Sequence, residues 1–350
     1  MIALLILSLA SFVISLFTVG IIKQRFSQQL LDIPNERSSH TQPTPRGGGL
    51  GFILAFGITS TIFAYTRLIK TVFGFPQNLS TEIFVQSAIP IIPLWLVLIP
   101  LTVVGIIDDR GGVPASVRYL IQLLAASIAV FYFGSFPQPW LAQFGIVGEI
   151  LAILLTVIGM TALINFYNFM DGLDGLVAGV TAVQLSFLAF WFNLPLLWLL
   201  VAALLGFLYW NWSPAKIFMG DAGSTVLGAT VAIALLNNGN DPVRAWSALA
   251  ITLPLIGDAI YTLTRRLIRR ENIFQAHRSH LYQRLQQAGW SHANVAIAYI
   301  SATVAIASAL AALGSIGIWL SLAFVVLPII LGEVYLRRAS HSERSPVNYS

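Results

Sequence analysis

The sequence has no cysteine and very little charge. Of its 350 residues only 9% are Asp, Glu, Lys or Arg, while 57% are hydrophobic. The missing cysteine excludes disulfides, thiolate metal sites and cysteine nucleophiles, and leaves the redox compartment open. The shortage of charge excludes more. A soluble domain carries about a quarter charged residues, and this chain cannot cover the surface of a water-soluble globule of its length. Lipid needs no such covering. Also missing are a GxxxxGK phosphate loop, an HExxH zinc pair and a GxGxxG turn after a strand. The net charge of +5 comes from basic residues dispersed among apolar stretches. That pattern excludes a nucleic-acid stripe and suits positive loops on one face of a membrane.

What the sequence does have is long apolar runs. A window of roughly 17 to 25 such residues can cross a bilayer as a helix. Eleven windows qualify: 2–22, 48–69, 88–107, 117–134, 146–166, 174–192, 195–212, 223–239, 245–264, 292–312 and 315–336. The sixth and seventh are parted only by Asn193, Leu194 and Pro195, a tight turn in which proline ends the helix. The first window has no basic residues before it and Lys23 and Arg25 just after it, which reads as a retained helix. The expectation is an all-α polytopic membrane protein of about eleven transmembrane helices, with one domain over 1–338 and a polar tail over 339–350.

Eleven spans put the termini on opposite sides. Connections after odd-numbered spans, with the tail, hold sixteen basic residues; the other side holds three, Arg67, Lys70 and Arg244. Positive residues stay inside, so the N-terminus is expected outside and the C-terminus in the cytoplasm. The acids then sort themselves. Asp32, Glu36, Asp108, Asp109, Asp171, Asp174, Asp221 and Glu271 fall in inner connections or at inner helix ends, with Asp258 seven residues from Arg265. Only Glu82, Glu149 and Asp241 fall outside. Ionisable groups at membrane depth are costly and mark function. Several loops delivering carboxylates to one face point to a single cytoplasmic site.

Four stretches carry the chemistry. Asp108-Asp109-Arg110 pairs two carboxylates that repel, which suits a base or a cation, though a solvated helix end would read the same. Asn165-Phe-Tyr-Asn168-Phe-Met-Asp171-Gly172-Leu-Asp174-Gly175 sets Asn165, Asn168 and Asp171 along one side of a helix leaving the membrane. Its glycines let the backbone turn and approach a ligand; the bland alternative is a polar seam between helices. Asp221, in Gly220-Asp221-Ala-Gly223, is a hard oxygen ligand for magnesium at the opening of a helix that would favour phosphate. As an alternative, it simply caps that helix. Finally, the basic segment Arg265 to Arg284 places His277, His280 and Arg284 at the spacing of one helix face, a clamp for a diphosphate with Arg278. Anionic headgroups would bind the same charges.

Together these stretches resemble the polyprenyl-phosphate N-acetylhexosamine-1-phosphate transferases, from Pro43-Thr-Pro-Arg46-Gly47-Gly48-Gly49 through His280. The resemblance implies a bacterial inner-membrane enzyme with its site facing the cytoplasm. Its substrates would be a UDP-N-acetylhexosamine and undecaprenyl phosphate, its cofactor Mg2+, with Mn2+ as a substitute. A second copy of the chain is a candidate partner, as a homodimer. It further implies that Asp108 and Asp109 activate the lipid phosphate, that Asp221 holds magnesium, and that Asn168, Asp171 and Asp174 lie in the loop for nucleotide and metal. His277 and His280 would stand near the sugar phosphate. The peptidoglycan translocase of this superfamily has a run of histidines where this chain has His277-Arg278-Ser279-His280. The stretch from His277 to Arg284, His-Arg-Ser-His-Leu-Tyr-Gln-Arg, is instead similar to a branch initiating O-antigen with N-acetylfucosamine or N-acetylquinovosamine. The rival from another class is a secondary transporter, whose ionisable groups would sit near the midplane and not at one face.

Overall fold

The computed structural model describes residues 2–26, 30–34, 39–40, 42–72, 89–239, 241–272, 275 and 277–342. The chain is a helical membrane protein. Among the described residues the α-helices are α1 (Ile2–Phe26), α2 (Gly49–Val72), α3 (Ile91–Gly111), α4 (Ala115–Phe133), α5 (Gly145–Met170), α6 (Leu176–Trp191), α7 (Leu196–Asn211), α8 (Asp221–Leu236), α9 (Pro242–Leu249), α10 (Leu253–Ile268), α11 (Leu281–Gln287), α12 (His292–Leu313) and α13 (Gly317–Ser342). A two-stranded antiparallel ladder, β1 (Leu31–Asp32) with β2 (Thr44–Pro45), pairs Leu31 with Pro45 and Asp32 with Thr44.

Each of the eleven apolar windows falls on a helix or helical run. Among the described residues seven stretches are long and apolar enough to cross a membrane, one of them, His292–Ala339, holding both α12 and α13. The helices α6, α7 and α8 have 16 residues each, about 24 Å of rise against a hydrocarbon core of about 30 Å. The exterior suits lipid: Phe131 is 81% exposed, Trp319 75% and Ile2 74%. At the α6–α7 turn Asn193 adopts φ +54 and Leu194 N–H reaches back to the Ala189 carbonyl at 2.8 Å. This is the tight reversal expected there, with asparagine in the left-handed conformation it tolerates. Of the tail assigned to 339–350, the first four residues continue α13; residues 343–350 lie outside the described residues, as do Glu36, Arg37 and Glu82.

The eighth window, short and glycine-bearing, is the most enclosed helix among the described residues. In α8 every residue from Ala222 to Leu236 is buried, packed among α2, α3, α5 and α6. Small residues permit this. A Cβ on Gly105 of α3 would come within 2.3 Å of the Ala222 Cα, and one on Gly228 within 2.9 Å of the Ile164 Cα on α5. Close backbone approach through small residues is how membrane helices pack when no hydrophobic driving force separates them from lipid. The consequence is positional: the N-terminus of α8 is wedged against the C-terminal ends of α3 and α5.

Candidate active site

At that wedge the paired aspartates diverge. Asp109 turns toward α8 and its Oδ1 accepts the Asp221 N–H at 3.1 Å. Asp108 accepts from Val113 N–H and from Arg118 Nη1, both at 2.6 Å, and its carboxyl also meets that of Asp221. Arg118 Nη1 also stands 3.6 Å from Asp221 Oδ2. The cap of α8 is Gly220, and the Asp221 side chain makes no capping bond. The simple capping role for Asp221 is therefore absent. So is a vacant helix N-terminus for phosphate, because the Asp109 carboxylate occupies it. Gly220 has φ +78, and a Cβ there would lie 2.4 Å from Asp109 Oδ2; only glycine lets this carboxylate reach the helix end.

Behind Asp221 comes the loop after α5. Asn168 donates to Ser224 Oγ at 3.1 Å and lies against the Asp221 carboxylate. Burial, with Asp221 and Asp109 as like charges nearby, pushes the Asp171 carboxyl up to about 8. Asp174 is buried and accepts from Ala215 N–H at 3.1 Å, with His292 Nδ1 3.2 Å away. Burial opposes its charge, but His292 holds it below the usual carboxylate range. His292 Nε2 meets the Ser39 carbonyl at 3.1 Å, tying α12 to the segment before α2. Gly175 takes φ +72 as expected of a turn. Gly172 approaches the protein itself: a Cβ there would lie 2.3 Å from Tyr282 Oη.

The third wall is the β1–β2 hairpin. Three backbone bonds of 2.8–2.9 Å lock it to the segment leading into α8: Phe218 N–H to the Pro45 carbonyl, Gly48 N–H to the Phe218 carbonyl and Gly49 N–H to the Met219 carbonyl. Arg46 then bonds Asp32 Oδ2 through Nη2 at 2.6 Å. Burial works against its charge, yet Asp32, with Asp109 and Asp221 further off, holds its pKa above the ordinary value. His40 packs edge-on to Phe218 at 4.9 Å. These walls enclose a cleft of about 260 Å³, lined among others by Asp32, Arg46, Asp171, Asp174, Asp221 and His292.

The basic segment is arranged differently. Residues 277–280 precede the helix, which begins at Leu281, so His277, His280 and Arg284 do not share a helical face. The reason is Asp258. Its buried carboxylate accepts the Leu281 and Tyr282 N–H groups at 2.8 and 3.1 Å, the Thr262 hydroxyl at 3.0 Å and the Tyr299 hydroxyl at 2.7 Å. It thereby starts α11 from α10. His280 is buried with Nδ1 3.7 Å from the same carboxylate. Arg284 forks onto Glu333, Arg266 pairs with Glu271 at 2.9 Å, and Arg265 donates to the Ser279 carbonyl at 2.9 Å. Burial, reinforced by His280, Arg266 and Arg265, pushes the His277 imidazole down to about 4.

Asp171, Asp174 and Asp221 thus line the cleft, with Asp109, Asn168 and Asp108 all touching Asp221 and Arg118 bridging Asp108 to it. Asn165 is elsewhere: it bonds Gln122 of α4 at 2.6 Å and the Thr161 carbonyl at 2.8 Å, the interhelical seam. His277, Arg278 and His280 are not among the lining residues; Tyr282 and Gln283, just beyond, touch the loop and line the cleft. Sequence reasoning missed Asp32, Arg46, Arg118 and His292 as site residues. Arg46 carried a signal, being the one basic residue inside the glycine-rich stretch before α2. Among the described residues no three His, Asp or Glu side chains form a ready-made metal cage. Magnesium needs only one or two carboxylates, keeping water and substrate phosphates for the rest. Asp221 and Asp171, crowded by like charge, fit that demand.

The sequence model of glycosyl transferase family 4 matches residues 91–238, from α3 to just past α8. The chain is 31% identical over 347 residues to a Bacillus subtilis (strain 168) protein named "Probable undecaprenyl-phosphate N-acetylglucosaminyl 1-phosphate transferase", covering 93% of this chain and 90% of that protein. It is 28% identical over 313 residues to the decaprenyl-phosphate N-acetylglucosaminephosphotransferase of Mycobacterium leprae (strain TN), covering 80% and 75%. It is also 28% identical over 349 residues to the undecaprenyl-phosphate alpha-N-acetylglucosaminyl 1-phosphate transferase of Yersinia pestis, covering 89% and 85%.

Proposed function

The chain belongs to the superfamily of polyprenyl-phosphate N-acetylhexosamine-1-phosphate transferases, and from that premise we propose its reaction. A UDP-N-acetylhexosamine and undecaprenyl phosphate give undecaprenyl-diphospho-sugar and UMP. An oxygen of the lipid phosphate forms a bond to the donor phosphorus that carries the sugar. The bond from that phosphorus to the bridging oxygen breaks, and the oxygen leaves with UMP. Phosphoryl transfer of this kind is mainly positioning and charge neutralisation. At about pH 7 a phosphate monoester is already partly dianionic, its second pKa being ~6, so proton removal is a small part of the work.

The observation that carries this reading is the convergence of three separate parts of the chain: Asp171 and Asp221 line one cleft, and Asp109 holds the backbone of Asp221. Asp221, with Asp171, would hold Mg2+ or Mn2+. When bound, the ion supplies charge to the diphosphate. The pair Asp108 and Asp109 faces the lipid phosphate, with Asp109 also fixing the end of α8. Asn168, Asp171 and Asp174 line the nucleotide side, with Asn165 supporting them from the α4 seam. The loop His277-Arg278-Ser279-His280, which is outside the cleft lining, would act on the donor's sugar phosphate through Gln283, which lines it. The product begins a cell-surface polysaccharide such as O-antigen. A transporter would place these groups at mid-helix; here they stand at helix ends.

The test is UMP release by membranes carrying the protein when polyprenyl phosphate and magnesium are supplied. UDP-GlcNAc, UDP-FucNAc, UDP-QuiNAc and UDP-MurNAc-pentapeptide are run in parallel. Turnover with one of the first three is expected; none with any donor would end this reading. The proposed orientation has the site in the cytoplasm of the bacterial inner membrane. Single cysteines at Ser116, Ser213 and Ser279 should resist an impermeant thiol reagent in intact cells, while Gln138→Cys should react at once. Equivalent probes at Ser38, Ser80 and Asn240 lie outside the described residues.

A further inference from the structure

We propose that Arg46 is the cation that receives the donor diphosphate and neutralises charge gathering on the departing UMP phosphate, an assignment that rests on the transferase reading above. The cleft that would take a nucleotide sugar is acidic. Asp32, Asp171, Asp174 and Asp221 line it, and among the described residues Arg46 is the one permanently charged cation in its lining. A diphosphate cannot enter such a place on carboxylates alone.

The other arginines nearby are engaged. Arg118 is held by Asp108 at 2.6 Å, Arg266 by Glu271 at 2.9 Å and Arg284 by Glu333. His292 is occupied by Asp174 and the Ser39 carbonyl. Arg46 is engaged through Nη2 by Asp32, but a guanidinium has five N–H donors in a rigid fork, and its side chain is 39% exposed. Nor is it needed as glue. The hairpin that carries it is already fixed to the approach of α8 by the backbone bonds at Pro45, Gly48 and Gly49. Those bonds set Arg46 on the cleft that Asp221 also lines, and Asp32 orients the guanidinium. Asp32 is thus a positioning residue, and Arg46 the group that touches substrate.

The experiment uses the purified full chain in detergent with UDP-GlcNAc, or whichever donor the wild type turns over, and undecaprenyl phosphate. R46Q should lower kcat/KM by about 100-fold or more, the loss typical of removing one preorganised donor from developing charge. Most of this should fall in kcat, with the thermal midpoint unchanged. Binding of UDP should weaken while binding of uridine does not. D32N, which keeps the arginine but frees its orientation, should cost about 10-fold in kcat with little change in KM. If R46Q does not fold, R46K carries the test: it keeps charge but loses the fork, and about a 10-fold loss is expected. Kinetics within about threefold of wild type for R46Q or R46K would overturn the assignment. So would equal losses for R46Q and D32N accompanied by a lowered midpoint and weakened uridine binding, the signature of a mere strut. A wild type inactive with every donor fails the transferase reading itself, and is told apart by that.

Discussion

Two aspartates, Asp109 and Asp258, do the same local job in opposite surroundings. Each reaches from its own helix to accept backbone N–H groups at the start of another: Asp109 at α8, Asp258 at α11. Around Asp258 donors are plentiful. Two backbone N–H groups and two hydroxyls satisfy it, and the arginines nearby are matched by Glu333 and Glu271. Around Asp109 the balance is reversed, since Asp108, Asp171 and Asp221 crowd in and, among the described residues, Arg118 and Arg46 stand against them. A buried charge whose donors are complete is a structural knot. A set of carboxylates short of positive charge is built for something that arrives. Residue type alone does not separate the two; the count of donors does.

The largest break in this comparison should come from the same substitution at the two centres. Asp221→Asn keeps shape and removes charge from a repelling cluster. Turnover should fall at least about 100-fold with the thermal midpoint in detergent unchanged or raised. Near-normal rates across a magnesium titration would remove Asp221 as the metal ligand. Asp258→Asn instead turns an NH2 toward groups that themselves donate. It should destabilise the fold by about 3 kcal/mol, read as a lowered midpoint and poor recovery. If Asp258→Asn left the midpoint unchanged while Asp221→Asn lowered it, the division between knot and site would be reversed.

A smaller effect is expected at the wedge that brings the acidic centre together. Gly105→Ala puts a methyl 2.3 Å from the Ala222 Cα, and backbone cannot yield as a side-chain tip would. The cost should be about 1–3 kcal/mol, with activity falling further than stability because Asp109 is levered off the end of α8. Gly159→Ala, where nothing lies within 4 Å of the added carbon, is the matched control. Equal activity in the two variants would mean that the α3–α8 contact does not govern the site.

Much of this was legible in the residues, for reasons that also explain what was not. Helix placement follows from apolar run length, which is local, so the eleven windows each met a helix. The gathering of carboxylates at one end follows from alternation along the chain, and Asp109 with Asp221 bear it out. Partner choice is not local. Nothing in the spacing of Asp108 and Asp109 says that one turns to Arg118 and the other to α8; that depends on Gly105 and Gly220 admitting a close approach. The spacing of His277, His280 and Arg284 fits a helix face, but the helix starts after His280 because Asp258, some 20 residues earlier, caps it there. Arg46 was hidden by the same blindness, since its meaning depends on a hairpin docked against residues 218 and 219.

The smallest effect expected belongs to the knot and is a matter of pH. His277 has its imidazole pushed down to about 4, first by burial and then by the charges of His280, Arg266 and Arg265. In the unfolded chain an imidazole titrates near its ordinary value of about 6.5. Between those values the unfolded state binds the proton and the folded state does not, so stability must fall as pH is lowered. The contribution is fully present above about pH 6.5 and is lost as pH drops toward 4. His277→Asn removes the titrating group and keeps a polar side chain near Ser279. The midpoint of wild type should therefore drop more than that of His277→Asn between pH 7 and pH 4.5, the difference being small because the ring is partly solvated. Other groups titrate in the same window, but they are common to both proteins and cancel in the comparison. Parallel curves for the two would mean that His277 is free to take its proton, and that the loop is open enough to receive an anion without first rearranging.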